Sequence, residues 1–234
     1  MIAVIVPIYN TEKYLRETID SVICQTLSFA EHIRLILLDD ASTDGSFAIC
    51  EQYQKQYPKQ IVVKHYDTNQ GVSALRNEGV RIAGEMGDEL ITFLDSDDKL
   101  ADDAVEKAKM YFKSHEDVSV AAIAVKYFGT RDGEQRLNWR FQEMDVVDIK
   151  KQYTFPHYYV GGVFLRKRVL NELHFDETMN FWEDALAINQ VIVSEGKYGL
   201  IQDTFYFYRK REDESSLVDT AWHSRTCCFC NQKA

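Results

Sequence analysis

The chain has no run of about 18 apolar residues, the length that a membrane-spanning helix requires. Its first apolar run begins at Ile2 without a basic segment before it, unlike the start of a secretory signal peptide. We therefore expect neither a membrane span nor a signal peptide, and we expect the chain to be cytoplasmic.

Positive charge is also scarce, because 27 Lys and Arg residues stand against 37 Asp and Glu residues in a chain of 234. The formal net charge of −10 argues against wrapping a nucleic-acid backbone or binding anionic lipid through charge alone. We expect no nucleic-acid partner. An anionic small ligand would need a cation as an intermediary.

Cysteine is sparse, with Cys24 and Cys50 isolated and the other three of the five in the segment "CCFC" at 227–230. That spacing lacks a second pair of ligands for a tetrahedral zinc site. Reduced thiols are the expected state in a cytoplasmic protein. We interpret "CCFC" as part of an interrupted helix, so the chain is expected to be a shortened form or to lack a further module.

Linkers, internal repeats and low-complexity tracts are absent as well, and 45% of the residues are hydrophobic. This composition is typical of a folded globular protein. We therefore treat residues 1–234 as a single domain.

Apolar strand patterns alternate with helical patterns through the first half of the chain. The predicted strands are 2–9, 33–38, 60–66, 89–94 and 119–128. Predicted helices follow the first four strands, and four strand and helix units in succession indicate a doubly wound, mostly parallel α/β sheet. The alternation stops after residue 128, where aromatic segments and a helix from Glu183 to Val193 predict a smaller, mixed region.

In open parallel sheets, ligands bind outside the carboxyl ends of the strands. Three predicted strands end in polar loops with the sequences "PIYN", "DDASTDGS" and "DSDD". These loops are therefore expected to share one pocket.

The "DSDD" loop places Asp95, Asp97 and Asp98 directly after an apolar strand. Carboxylates at this spacing can bind Mg or Mn and leave coordination positions for phosphate oxygens. Helix capping is the alternative, since an Asp at a helix start accepts backbone N–H bonds, but capping explains one Asp better than three.

Other polar residues at the strand ends each allow two interpretations. Asp39 and Asp40 can accept hydrogen bonds from a uracil or a ribose, or they can stabilise a turn. Arg76, near the start of a helix, can approach the acidic loop or a diphosphate, or it can be a solvated helix residue.

The segment "FWED" sets Glu183 and Asp184 immediately after Phe181 and Trp182. Burial beside aromatic surface can raise the proton affinity of a carboxylate, which suits a general base, and an aromatic ring can pack on a sugar. Acidic residues are also common in a first helical turn because of the helix dipole.

Taken in order, "VIVPIYN", "LLDDASTDGS", "GVSALRNEG", "FLDSDD" and "FWED" resemble the family 2 inverting glycosyltransferases over roughly residues 2–210. The resemblance implies the GT-A fold, which is Rossmann-like. It also implies that residues 1–128 form a nucleotide-sugar-binding half and that residues 129–234 form an acceptor-side half.

The resemblance also implies a role for each matching residue. Asp184 would be the catalytic base, and Asp97 would hold the Mn or Mg ion, with Asp98 taking that role if the register shifts by one. Substrate contacts would come from the remaining matched positions: Pro7, Tyr9, Asp39, Asp40, Arg76, Asp95, Gly162, Trp182 and Glu183.

The expected reaction moves a sugar from a nucleotide diphosphate, with UDP favoured over GDP or dTDP, to a hydroxyl of a glycan or lipid-linked acceptor. Its expected place is polysaccharide synthesis at the inner face of the cell membrane, with peripheral membrane association. Many relatives carry a His after a Tyr-Arg segment, whereas this chain offers Arg209, Arg211 and Ser215 there. An arginine would then contact the diphosphate.

Two alternatives to a transferase stay open on the sequence. One is a nucleotide-sugar-binding module without turnover, which the intact Asp184 disfavours. The other is a phosphoacceptor signalling domain, which also gathers aspartates and Mg at strand ends. Such a domain is about half this long and needs a lysine near its last strand.

Overall fold

A computed structural model describes residues 1–130, 132–134, 144–151, 160–179 and 181–211. No helix among these residues is long and apolar enough to cross a membrane. Ser215 and the "CCFC" segment lie outside the described residues.

The first half of the chain forms the parallel sheet that the sequence predicts. Its strands are β1 (Ile2–Ile8), β2 (Ile33–Asp39), β3 (Ile61–His65) and β4 (Leu90–Phe93). They lie in the order β3-β2-β1-β4, and every neighbouring pair is parallel. The helices that connect or follow these strands are α1 (Glu12–Ile23), α2 (Phe29–His32), α3 (Ser46–Gln56), α4 (Val72–Glu85) and α5 (Ala104–Ser114).

The strands after β4 extend the same sheet in mixed directions. These are β5 (Lys99–Leu100), β6 (Val120–Gly129), β7 (Gly133–Glu134), β8 (Val146–Asp148), β9 (Val163–Arg166) and β10 (Lys197–Lys210). The order continues as β4-β9-β6-β10-β5, with β9 antiparallel to both β4 and β6. A short 3-10 helix (Lys167–Val169) follows β9, and α6 (Glu183–Glu195) precedes β10. The mixed second region is thus confirmed.

Both faces of the sheet are buried, which explains the continuous apolar runs in the sequence. Along β1, Val4 and Val6 pack with α1, α3 and α5, whereas Ala3 and Ile5 pack with α4 and α6. Each fully buried Ile or Leu contributes about 1.5 to 3 kcal/mol. Gly79 lets α4 approach this face closely, because a Cβ there would lie 2.3 Å from Cγ2 of Ile5. The apolar core therefore fixes where the strand ends meet.

Candidate active site

The carboxyl ends of β1, β2 and β4 meet at one edge of the sheet, and the N-terminus of α6 joins them there. The acidic loop follows β4 directly, and Asp95 is linked through Arg76 of α4 to Glu183 of α6. Arg76 therefore brings the acidic loop and the start of α6 together.

Arg76 is the buried centre of this group, with 5% of its surface exposed. Its Nη1 donates to Oε1 of Glu183 at 2.9 Å, and its Nη2 donates to Oδ1 of Asp95 at 3.3 Å. The guanidinium also lies over the ring of Phe175, with 5.6 Å between Cζ and the ring centroid. The sequence suggested that Arg76 could approach the acidic loop or a diphosphate. In the structure it contacts the acidic loop.

Asp184 occupies the first turn of α6. Its Oδ1 accepts a hydrogen bond from the N–H of Ala185 at 2.7 Å, and its Oδ2 accepts one from the N–H of Val160 at 3.4 Å. Burial raises the pKa of Asp184 from its usual 3.8 to about 6, although the charge of Arg76 acts in the opposite direction. Such a carboxylate is ionised at neutral pH and binds a proton more tightly than an exposed one does, which suits a general base.

Trp182 begins α6 in an unusual backbone conformation. Its φ of 67° lies in the left-handed region, which costs energy for a residue with a bulky side chain. The ring of Trp182 is 52% exposed, and that of neighbouring Phe181 is 38% exposed. The start of the helix thus presents aromatic surface one residue before the Glu183 and Asp184 pair.

Asp98 is an internal residue of the acidic loop, with 2% of its surface exposed. Its Oδ1 accepts from the N–H of Arg209 at 2.7 Å, and its Oδ2 accepts from the hydroxyl of Tyr206, also at 2.7 Å. Burial, with the nearby charges of Asp97 and Asp95, raises the pKa of Asp98 well above its usual range. This geometry suits a structural anchor to β10 and disfavours a metal ligand.

Asp97 is more accessible, and its Oδ2 accepts from Nε of Arg211 at 2.7 Å. Burial raises the pKa of Asp97, and the charge of Arg211 opposes that effect. The carboxylates of the loop therefore have positive partners inside the chain, Arg76 at Asp95 and Arg211 at Asp97. The sequence analysis had offered Arg76 and a metal ion as partners of this loop, but it had not placed Arg211 at Asp97.

The described residues contain no group of three or more His, Cys, Asp or Glu side chains placed to hold a metal ion. The hard carboxylate oxygens of Asp97 nevertheless suit Mg or Mn. The residues thus fit an ion whose coordination is completed by ligand oxygens, rather than a cage built by protein alone.

At the ends of β1 and β2, the side chains differ in accessibility. Pro7 is buried within β1, whereas Tyr9 just beyond it is 52% exposed. Asp40 is buried and accepts from the N–H groups of Gln70 and Gly71, at 2.6 and 3.0 Å. Asp40 thereby holds the loop that leads into α4.

Asp39 is also buried, and it forms a second set of contacts. Its Oδ2 lies 2.7 Å from Nδ1 of His65 and accepts from the N–H of Ser42 at 3.2 Å. Its Oδ1 has no hydrogen-bond partner among the described residues. Both aspartates therefore have loop-stabilising contacts, which is one of the two roles that the sequence left open.

Gly161 and Gly162 have a packing role in the structure. A Cβ on Gly161 would lie 2.6 Å from Cζ of Tyr206, and one on Gly162 would lie 2.9 Å from Cγ1 of Ile123. Gly162 also has a φ of 74°. These glycines make room for the buried Tyr206 side chain, which accounts for them without a sugar at close approach.

Tyr206 is a site residue that sequence reasoning missed. Besides its bond to Asp98, its hydroxyl accepts a hydrogen bond from the N–H of Asp95 at 3.2 Å. Burial and these two aspartates raise its pKa well above the usual range. Its only signal in the sequence was the aromatic run "FYFY", which does not single out one ring.

Comparison with known proteins shows the family and the fold of the chain. Residues 3–174 match the family described as Glycosyl transferase family 2. The chain is 41% identical over 227 residues to the minor teichoic acid biosynthesis protein GgaA of Bacillus subtilis (strain 168), covering 96% of this chain and 50% of GgaA. GgaB of the same organism is 39% identical over 223 residues, covering 94% of this chain and 24% of GgaB. The chain thus spans half or less of the length of these two relatives.

Solved structures show the same architecture. TarS of Staphylococcus aureus in complex with UDP-GlcNAc superposes with a TM-score of 0.77 at 25% identity, covering 90% of this chain and 59% of that one. The mannosyltransferase PcManGT from Pyrobaculum calidifontis in complex with GDP-Man and Mn2+ gives a TM-score of 0.69 at 17% identity, covering 95% of this chain and 61% of the other, and supports the fold alone. The chain belongs to glycosyl transferase family 2 and has the GT-A fold.

Proposed function

We propose that this chain is the catalytic unit of a metal-dependent inverting glycosyltransferase that acts in cell-wall teichoic acid synthesis. The observation that carries the proposal is Asp184, a half-buried carboxylate of raised pKa beside the linked acidic loop. The likeness to GgaA and to the UDP-GlcNAc complex of TarS supports a UDP-sugar donor and a glycan acceptor.

Asp184 accepts the proton of the acceptor hydroxyl as that oxygen forms a bond to the anomeric carbon of the donor sugar. The bond between the anomeric carbon and the diphosphate oxygen breaks on the opposite face, and its electron pair leaves with the nucleoside diphosphate. The configuration at the anomeric carbon therefore inverts. A base with a pKa of about 6 is ionised at neutral pH and is therefore ready to accept this proton.

The metal is assigned to Asp97, whose carboxylate is the more accessible of the two candidates. A bound Mn or Mg ion supplies positive charge that offsets the negative charge developing on the departing diphosphate. In this proposal Asp98 holds the loop in place, and Arg211 contacts the diphosphate. Asp95 lies nearer the ribose and the sugar.

The nucleoside is assigned to the ends of β1 and β2. The exposed ring of Tyr9 can cover one face of the uracil, with Pro7 as the rigid end of the strand beneath it. Asp40 and Asp39 line this side, and each carboxylate oxygen has more than one lone pair with which to accept from the ligand.

The acceptor is assigned to the start of α6. The exposed ring of Trp182 can pack against a sugar face one residue from the Glu183 and Asp184 pair. We place the reaction in the cytoplasm at the inner face of the cell membrane, with a growing glycan or a lipid-linked glycan as acceptor.

Calorimetric titration with UDP, in the presence and absence of Mn, tests donor binding, with GDP and AMP as controls. Binding of UDP that requires Mn, followed by release of UDP from a UDP-sugar, is the expected result. Binding without turnover against any acceptor would favour the alternative of a non-catalytic module. Binding of none of these nucleotides would contradict the donor assignment.

A further inference from the structure

We propose that Arg76 is a positioning residue that holds the acidic loop and the base-bearing helix together and thereby fixes the charged surroundings of Asp184. This inference rests on the proposed function only for the role of Asp184 as base. The geometric part concerns three segments of the chain, which are α4, the loop after β4 and α6.

The first support is the way in which Arg76 joins segments that are far apart in sequence. Its two terminal nitrogens bind Asp95, 19 residues away, and Glu183, 107 residues away. A guanidinium presents its donors in one rigid plane, so the two contacts fix the loop and the helix relative to each other. A lysine could not make both contacts in this way.

The second support is burial. The side chain of Arg76 is 6% exposed, that of Glu183 is 11% exposed, and that of Asp95 is 36% exposed. A charge this deeply buried is costly unless it is paired, and an opposite charge nearby has a large effect. Because each of its two terminal nitrogens contacts a carboxylate, Arg76 is placed to organise the site.

The third support is the set of charges that face Asp184. Arg76 from α4 lowers its pKa, whereas Glu183 from α6 and Asp95 from the loop raise it. The backbone N–H of Ala185 also lowers the pKa. Burial and the two like charges therefore raise the pKa of Asp184, and the positive charge of Arg76 opposes that rise.

The test follows the titration of Asp184 directly, by NMR of chain labelled at the Asp carboxyl carbons. Comparison with Asp184→Asn assigns the resonance. In Arg76→Met the midpoint should move upward by about one pH unit or more, because the opposing cation is gone. Glu183→Gln should move it downward, since a like charge is removed.

Arg76→Met leaves two carboxylates without their cation, so the same change is also made in a Glu183→Gln background, where one of those charges is absent. The effect of Arg76 is then the difference between Glu183→Gln and the double variant. Arg81→Met is the matched control. It removes an arginine from the same helix, but one that is 52% exposed and paired with Glu78 and Glu85.

An upward shift in Arg76→Met or in the double variant, with Arg81→Met unchanged, supports the proposal. If Arg76 had only a structural role, Arg76→Met would lower the unfolding temperature and leave the titration midpoint of Asp184 within about 0.3 pH units of the wild-type value. That result would overturn the proposal. The titration does not depend on enzyme turnover. It can therefore test the role of Arg76 even if the chain consumes no UDP-sugar. In an active protein, the acidic limb of the kcat/KM profile should shift with the midpoint.

Discussion

The hydroxyl of Tyr206 donates to Oδ2 of Asp98 at 2.7 Å, and this bond ties the acidic loop to β10 across 108 residues of sequence. The same hydroxyl accepts from the N–H of Asp95. One buried phenol therefore fixes both ends of the loop that carries the proposed metal ligand, Asp97.

Replacing Tyr206 by Phe should therefore destabilise the protein. The change leaves Asp98 without one donor and the N–H of Asp95 without its acceptor, which costs about 1 to 3 kcal/mol for buried groups. Urea unfolding measures the free energy, and Tyr9→Phe is the control because that ring is exposed. A Tyr206→Phe variant as stable as the wild type would show that the hydroxyl does not anchor the loop.

Gly162→Ala should be destabilising for two separable reasons. The φ of 74° strains any side chain, and the new Cβ would lie 2.9 Å from both Ile123 and Tyr206. Gly87→Ala isolates the first effect, because its φ is 77° and nothing lies within 4 Å of the added Cβ.

The strain alone should cost about 1 kcal/mol at Gly87, and Gly162→Ala should cost clearly more than that. Gly84→Ala, inside α4 with free space around it, should be neutral or slightly stabilising. Thermal unfolding of the three variants gives the comparison. Equal losses at Gly162 and Gly87 would mean that the packing against Tyr206 is not tight.

Asp97→Ala should weaken Mn-supported binding of UDP by at least about tenfold, since one metal ligand is lost. Calorimetry in the presence and absence of Mn measures this effect. Asp102→Ala is the control, because Asp102 is an exposed acidic residue outside the loop. Titrations that match the wild type would remove Asp97 from the metal site.

Asp184→Asn should stabilise the protein at neutral pH. The pKa of Asp184 is about 6 in the folded protein, above its usual value of 3.8. The stability that the protonated carboxyl provides is therefore fully present below about pH 4 and is lost as the pH rises through about 6. Asn carries no charge to desolvate. The gain should be near zero at pH 4 and reach about 1 to 3 kcal/mol at pH 8.

Chemical denaturation across this pH range, with Asp102→Asn as the exposed control, measures the difference. A gain that is the same at pH 4 and pH 8 would mean that the ionisation of Asp184 is not costly in the folded protein.

The sequence predicts the first half of the fold well, because its strands are buried on both faces and appear as continuous β-branched runs. The residues of β1, for example, are all buried, as the run "IAVIVPI" indicates. In contrast, β10 carries four consecutive aromatic residues before its basic end, and it pairs with β6, which is distant in sequence. A long-range pairing of this kind leaves no periodic signal that identifies its partner.

The sequence also predicts the candidate site only in part. Asp97 and Asp98 are adjacent and have the same side chain, so spacing alone cannot assign one to a metal and the other to the interior. The difference arises from Tyr206 and Arg209 on β10, which bind Asp98. For Asp184 the position after aromatic residues at a helix start left two interpretations open, and only the family resemblance favoured the role of base.

Single-turnover release of UDP from a UDP-sugar that the wild type consumes, compared between the wild type and Asp184→Asn, tests most directly whether Asp184 is the general base. Our account predicts that the variant binds UDP as tightly as the wild type and releases UDP from the UDP-sugar about 100 to 10,000 times more slowly. A variant that retained most of the wild-type release rate would contradict the assignment of Asp184 as the base.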